Sequence, residues 1–311
     1  MSAVPRRAAN TAALAIVAGA VMIGSSPILI RLSELSPNAT AFHRVALAVP
    51  VLMLAMALMG PPAGARTTET PPAWTHGAMA LGGALFALDL VCFHWSLSYT
   101  TVANSVLLLN FAPVFASLAA WGLYGERLSP PFLASLAVAL LGVALLAGSH
   151  AELAAIGLLG DALALAAGAS YGGYLLSVNR LRRHHGTLAI MTWTTLACTV
   201  CLAPVVLAAG DSLVPTTLDG VAVLLALAWL THAAGQGLIA YALKALPAAS
   251  STTLLLQPLV AALGAWIVLG EGLGAIQIAG GVLVLLGVAL CRRFSPPLIP
   301  AGSGRAAKAA P

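Results

Sequence analysis

The chain has 311 residues, 60% hydrophobic and only 7% charged, with a mean hydropathy of +0.98 and a net charge of +5. A soluble domain usually carries about 25% charged residues, so the bilayer must be the solvent for most of this chain. Its Lys and Arg residues lie between apolar runs rather than in one patch, which argues against a nucleic-acid surface.

Long Leu, Ala and Val runs without alternation satisfy the backbone in lipid only as helices and exclude a closed barrel. Arg6 and Arg7 precede the first run in the manner of a secretory signal, but no convincing cleavage site follows, and the segment is expected to be retained. The apolar runs predict helices near residues 11–30, 40–59, 77–98, 102–124 and 130–148, then near 156–178, 187–209, 220–243, 247–269 and 273–291. The expected fold is an all-α membrane protein of ten transmembrane helices in two inverted five-helix repeats, residues 1–150 and 151–293, followed by a disordered cytoplasmic tail, 294–311. With this count every Lys and Arg except Arg31 and Arg44 falls on the side that carries both termini. By the positive-inside rule that side is the cytoplasm of a bacterial inner membrane. Arg31 is expected outside, and Arg44 a turn inside the outer end of the second helix, its stem snorkelling to the interface.

The two halves repeat one another. Residues 103–145 laid over 248–290 give 18 identities in 43 positions without a gap, among them Pro113 with Pro258, Trp121 with Trp266, and Gly125-Glu126 with Gly270-Glu271. LGVAL recurs at 141–145 and 286–290. An odd number of helices per half starts the second half on the opposite face, so the repeat is inverted.

The turn Ser98-Tyr99-Thr100-Thr101-Val102-Ala103, then Pro113, Trp121 and Gly125-Glu126-Arg127-Leu128, answered by Lys244-Ala245-Leu246-Pro247-Ala248, Pro258 and Gly270-Glu271, resemble the EamA-type ten-helix exporters of the drug/metabolite transporter superfamily. Arg44, in AFHRV, also looks like an arginine of that family, whereas Gly272 stands where the first half has Arg127. The resemblance covers nearly the whole chain. It implies a central cavity lined mainly by helices 3, 4, 8 and 9, with helices 1 and 6 moving beside them, and export of amino acids, metabolites or drugs.

Polar groups inside apolar helices are the candidate solute-binding residues. Ser250, Thr253 and Gln257 share a helix face beside Pro258. Pro113 and Pro258 cannot donate to the carbonyls of Leu109 and Leu254, so both are candidate gating bends, and Ser25, Ser26 and Pro27 mark another candidate break. Asn104 and Asn110 lie on helix 4 and need not face the same space. Asp89 and His94 lie deep in helix 3 on different faces, which disfavours a direct relay between them. His232 and Gln236 stand at i and i+4 on helix 8, and Tyr174 shares a face of helix 6 with Ser170 and Ser177, with Tyr171 partly on it. The competing reading of each is packing: interhelical hydroxyl bonds, a static kink, a satisfied core histidine or an interfacial tyrosine. Asp161, early in helix 6, is expected near enough to the outer surface to be solvated, and Glu126 and Glu271 are read as structural corners.

No hydrolase elbow, zinc-helix motif or phosphate-binding loop is present, so neither catalysis nor a metal or cofactor is expected. Cys198 and Cys201 form a CxxC without further ligands nearby, and the four cysteines read as buried thiols. A channel is the competitor from another class, though inverted repeats favour alternating access. Cationic drug export would want a carboxylate in helix 1, which has none. Phosphate-ester exchange would want intramembrane Lys or Arg, and on this reading only Arg44 is near. What remains suits a zwitterion or weakly charged polar solute. The family analogy makes aromatic and other neutral amino acids the leading candidates, drugs or other metabolites the alternative, with no need for an oligomer.

Overall fold

The computed structural model describes residues 6–59, 73–124, 129–147, 154–182, 184–239 and 256–294, and everything described in it is helix, turn or loop, with no strand among the described residues. Ser250 and Thr253, the Gly125-Glu126 corner and nearly all of the C-terminal tail lie outside the described residues.

The N-terminal third consists of helices broken ahead of prolines. Helix α1 (Arg6–Gly24) gives way at Ser25 to α2 (Ser26–Arg31), and α3 (Pro37–Ala46) gives way at Leu47 to α4 (Ala48–Met59). A long α5 (Trp74–Tyr99) follows, then α6 (Val102–Leu109), which stops at Asn110-Phe111 before α7 (Ala112–Tyr124). In each case a proline, Pro27, Pro50 or Pro113, sits in the first turn of the next helix, where its missing N–H costs nothing. Pro113 was expected inside a continuous helix, and the chain instead starts a new helix one residue before it. Pro204 lies inside unbroken α10 (Thr187–Ala209), so proline alone does not end a helix here.

The remaining elements are α8 (Pro130–Ala147), α9 (Ala154–Leu181), α11 (Leu218–Leu225), a π-helical segment (Ala226–Gly235) continuing into helical residues 236–239, α12 (Leu256–Leu269) and α13 (Ala275–Phe294). Six of the described helical stretches are long and apolar enough to cross a membrane: Leu14–Arg31, Pro37–Met59, Trp74–Tyr99, Val102–Leu123, Thr187–Ala209 and Leu218–Ile239. The apolar helices Pro130–Leu145, Leu256–Leu269 and Ala275–Cys291 are shorter.

Lipid-type packing explains how these helices meet. Helices α5 and α9 form the most extensive pairing, and α8 lies along α13. A Cβ on Gly142 would come within 2.7 Å of the Gly280 carbonyl, and one on Gly287 within 2.5 Å of the Ala139 nitrogen, so these glycines let α8 and α13 touch backbone to backbone. On the opposite face of α13, Ile278, Val282 and Leu286 are exposed, as are Leu54, Leu58 and Met59 on α4 and Trp266 and Ile267 on α12. Apolar side chains therefore cover the outside as well as the core, a surface suited to hydrocarbon rather than water. The buried core runs through Phe111, Phe132, Ala164 and Val284 and, separately, through Leu90, Cys198 and Leu202.

One end of the bundle is tied by polar contacts. Arg31 of α2 pairs with Glu271 at 3.0 Å and also donates to the Leu97 carbonyl, while the other Glu271 oxygen accepts the Val102 N–H at 2.9 Å. Gly270, at φ +69°, takes the left-handed conformation that turns the chain out of α12 just before Glu271. Glu271 thus completes its ion pair with a residue of the other half, not with a neighbour in its own corner. At the same end Asn38 donates to Asp211 at 3.1 Å and accepts from the Trp95 indole at 2.9 Å. Asp161, expected to be solvated, is 4% exposed and accepts from Thr100 Oγ1 at 2.9 Å.

Candidate functional site: a central cavity at the helix breaks

A cavity of about 80 Å³, room for several waters, opens where α1 gives way to α2 and α6 gives way to α7. Ile23, Gly24, Ser26 and Pro27 line it at the first break, and Leu109 and Asn110 at the second. Arg44 enters from α3, Phe86, Asp89, Leu90 and Phe93 from α5, Tyr171 from α9, Gln236 from beyond the π segment and Gln257 from α12. Gly24 permits the closeness of α1 and α12, because a Cβ there would meet the Gln257 carbonyl at 2.9 Å.

Polar satisfaction is incomplete at this cavity. Among the described residues, six buried side-chain polar atoms have no hydrogen-bond partner, and three of them, Ser26 Oγ, Arg44 Nε and Asp89 Oδ1, belong to residues lining it. Arg44 is 6% exposed and Asp89 4%. Their opposite charges attract, yet no N···O distance of 4.0 Å or less joins them. Arg44 was expected to snorkel to the interface, and the structure buries it. Its helix starts at Pro37, three residues earlier than the predicted 40, with Ser36 Oγ capping the Ala39 N–H at 3.1 Å, so Arg44 lies two turns inside.

Aromatic rings wall one side. Phe86 stacks on Tyr174 at 5.0 Å and on His232 at 5.6 Å, and Tyr174 stacks on Tyr171 at 5.6 Å. Only Phe86 and Tyr171 of this group face the cavity, with Tyr174 and His232 behind them. His232 Nε2 meets Thr195 Oγ1 at 3.0 Å.

The predicted residues divide accordingly. Asp89, Asn110, Gln236, Gln257 and Pro27 line the cavity. Ser25 lies beside the break, its hydroxyl donating to the Met22 carbonyl at 2.7 Å. Asn104 is fully buried and receives the Gln277 amide at 3.3 Å. Pro113 sits in the first turn of α7, and neither it nor Pro258 of α12 belongs to the lining. His94 faces a second cavity of about 150 Å³, with Arg31, Ser33 and Thr40, at the tied end. Its Nδ1 lies 2.6 Å from the Leu90 carbonyl, which only accepts, so Nδ1 carries the proton and the unpartnered Nε2 is an acceptor. Asp89 and His94 thus serve different spaces.

Comparison with known proteins decides what kind of machine this is. The profile of the EamA-like transporter family matches residues 10–148 and again residues 158–293. The chain belongs to the EamA-like transporter family. It is a multi-pass membrane exporter of small solutes and not an enzyme. It is 31% identical over 247 residues, 78% of this chain and 81% of the relative, to a probable terminal-alkyne amino-acid exporter of Streptantibioticus cattleyicolor. It is 34% identical over 125 residues, 38% of this chain and 39% of the relative, to an uncharacterized transporter of Archaeoglobus fulgidus. A solved crystal structure with 19% identity shares the fold, with a TM-score of 0.59 over 92% of this chain and 98% of that one.

In this EamA-like chain the cavity takes its lining from both matched segments: Arg44, Asp89 and Asn110 from the first, Tyr171, Gln236 and Gln257 from the second. Sequence reasoning missed Arg44 and Phe86 as lining residues and chose Tyr174 over its neighbour Tyr171. A sequence signal for Arg44 existed in Ser36-Pro37, a cap followed by proline, which moves the helix start outward. Phe86 carries none, since a phenylalanine in an apolar helix reads as core.

Proposed function

We propose that this transporter exports neutral amino acids, aromatic ones included, or closely related small metabolites, by alternating access in the bacterial inner membrane. On this reading ten helices form two inverted five-helix repeats, residues 1–150 and 151–293, with both termini cytoplasmic and no obligatory oligomer. The observation that carries it is one cavity drawn from both matched segments, in which a buried cation, a buried carboxylate and three carboxamides face three aromatic rings. Such a lining serves a solute that is polar at one end and apolar at the other. The amino-acid exporter among its relatives supports the same substrate class. The contacts at the Arg31 end support a conformation closed on that side, and the prolines at the helix breaks are where the bundle would bend.

Arg44 inside the cavity also gives an organic anion a partner, so export of anionic metabolites is the second reading. Counterflow in liposomes, screened with labelled amino acids, organic anions and amines, separates them. Neutral amino acids should exchange well above protein-free vesicles, and Gln257→Ala and Asn110→Ala should each slow exchange several-fold while leaving the protein folded. Exchange of anions alone would transfer the assignment to the second reading. Repeating the assay with an imposed pH difference tells proton antiport through Asp89 from uniport.

A further inference from the structure

We propose that the cavity recognises its solute as a zwitterion held at both ends: the Arg44 guanidinium takes a carboxylate, the Asp89 carboxylate takes an ammonium, and the Phe86 and Tyr171 rings flank the side chain. The inference rests on the reading of this cavity as the transport site and adds which residue holds which charge.

Burying an unpaired charge is costly, and a protein normally meets that cost with an ion pair or a complete set of hydrogen bonds. Arg44 and Asp89 are buried on facing helices without either, since Arg44 Nε and Asp89 Oδ1 have no partner and no direct ion pair closes the gap. Both line the same space. A solute carrying both charges on adjoining atoms satisfies both side chains at once and adds no net charge to the membrane interior. Asn110 strengthens the ammonium side. Its Nδ2 donates to the Val106 carbonyl at 2.8 Å, which leaves its side-chain oxygen as a second acceptor at the cavity. Ser26, unpartnered at Oγ and 2% exposed, supplies a hydroxyl able to face either end.

This arrangement predicts discrimination by subtraction. An amine without the carboxylate leaves Arg44 unpaired, and an acid without the amine leaves Asp89 beside a like charge. Sites built to satisfy buried polar groups reject analogues that leave one unpaired.

The test is titration calorimetry of the full-length purified protein with phenylalanine, phenethylamine and 3-phenylpropionate, which share a ring and differ in charge. Phenylalanine should bind at least about tenfold more tightly than either analogue. Asp89→Asn should remove the preference over 3-phenylpropionate while keeping that over phenethylamine, and Arg44→Gln should do the reverse. Equal binding of any single-charge analogue to the wild-type protein, or no binding of phenylalanine, overturns the proposal. Should either variant fail to fold, the wild-type series alone still decides. Amino-acid flux without this charge pattern sinks the two-ended site and leaves export standing. The pattern without flux does the opposite.

Discussion

The tied end and the central cavity treat polar groups in opposite ways. At the tied end Arg31, Glu271, Asn38, Asp161 and Thr100 each have a hydrogen-bond partner on another element, and His94 Nε2, at the second cavity there, is the one exception among the residues described above. At the cavity, Ser26, Arg44 and Asp89 keep buried polar atoms without any. A membrane protein that tolerates the second arrangement while maintaining the first separates two tasks: holding a conformation and holding a solute. The contrast also explains why part of the lining comes from broken helices. A break turns side chains such as Ser26 and Asn110 inward where a continuous helix would present one apolar stripe.

The largest effect is expected when the cavity is made apolar. Arg44→Met with Asp89→Leu removes both buried charges together, and well-packed apolar replacements of buried ionic groups are commonly neutral or stabilising. The double variant should therefore melt at or above the wild-type temperature in the same detergent while losing at least about a hundredfold in exchange rate, on the order of 2.7 kcal/mol of barrier. A double variant that melts much lower would make the pair a structural element like Arg31 and Glu271, and the contrast would disappear.

Next in size is the tied end itself. Arg31 is 35% exposed and Glu271 14%, so their attraction alone contributes about 1 kcal/mol or less. Arg31 also serves the Leu97 carbonyl and Glu271 the Val102 N–H, so the group acts as a network. Either Arg31→Ala or Glu271→Ala should accelerate hydrogen exchange across residues 97–105 and leave solute binding at the cavity intact. The swap Arg31→Glu with Glu271→Arg should not restore protection, because an arginine cannot accept from Val102 and a glutamate cannot donate to Leu97. Restoration by the swap would reduce the network to a simple charge pair.

How much of this was legible in the sequence depends on the kind of residue. Asp89, Asn110, Gln236, Gln257 and Pro27 stood out because a polar group or proline in an apolar helix is costly, and all five line the cavity, whereas Asn104, His94, His232 and Pro113, chosen by the same signal, do not. Boundaries set by a glycine turn were also readable: the helix predicted over 187–209 is Thr187–Ala209, closed by Gly210 at φ +67°. Phase was less readable. Tyr171 and Tyr174 lie on neighbouring parts of one face, and only the neighbours of α9 decide which faces the hollow. His232 and Gln236 were placed together on the assumption of an α-helical repeat. The chain there is π-helical over Ala226–Gly235, and its i→i+5 ladder changes the angle between successive side chains. Gln236 reaches the cavity and His232 turns to Thr195. No residue pattern in that segment announces the change of ladder.

The smallest effect belongs to a tether between two loops at the tied end, and it depends on pH. Glu34, between α2 and α3, accepts from Thr216 Oγ1 at 2.6 Å and from the Thr217 N–H and hydroxyl at 3.2 and 3.0 Å. The Thr216 hydroxyl above all, then the Thr217 N–H and hydroxyl, outweigh the desolvation of this exposed carboxyl and hold it below the ordinary value of 4.5. A carboxyl depressed in the folded state stabilises it fully above the unfolded value, and the contribution fades as pH falls from about 4.5 through the folded one. Glu34→Gln should therefore melt slightly below wild type at pH 7, and the two curves should converge as the buffer is taken towards pH 3. Gly220→Ala offers an independent cut of the same tether, because a Cβ there would fall 1.5 Å from Glu34 Oε1 and displace the carboxylate. A Glu34→Gln deficit that persisted unchanged into acid would mean that the glutamate acts through its shape and not through its charge.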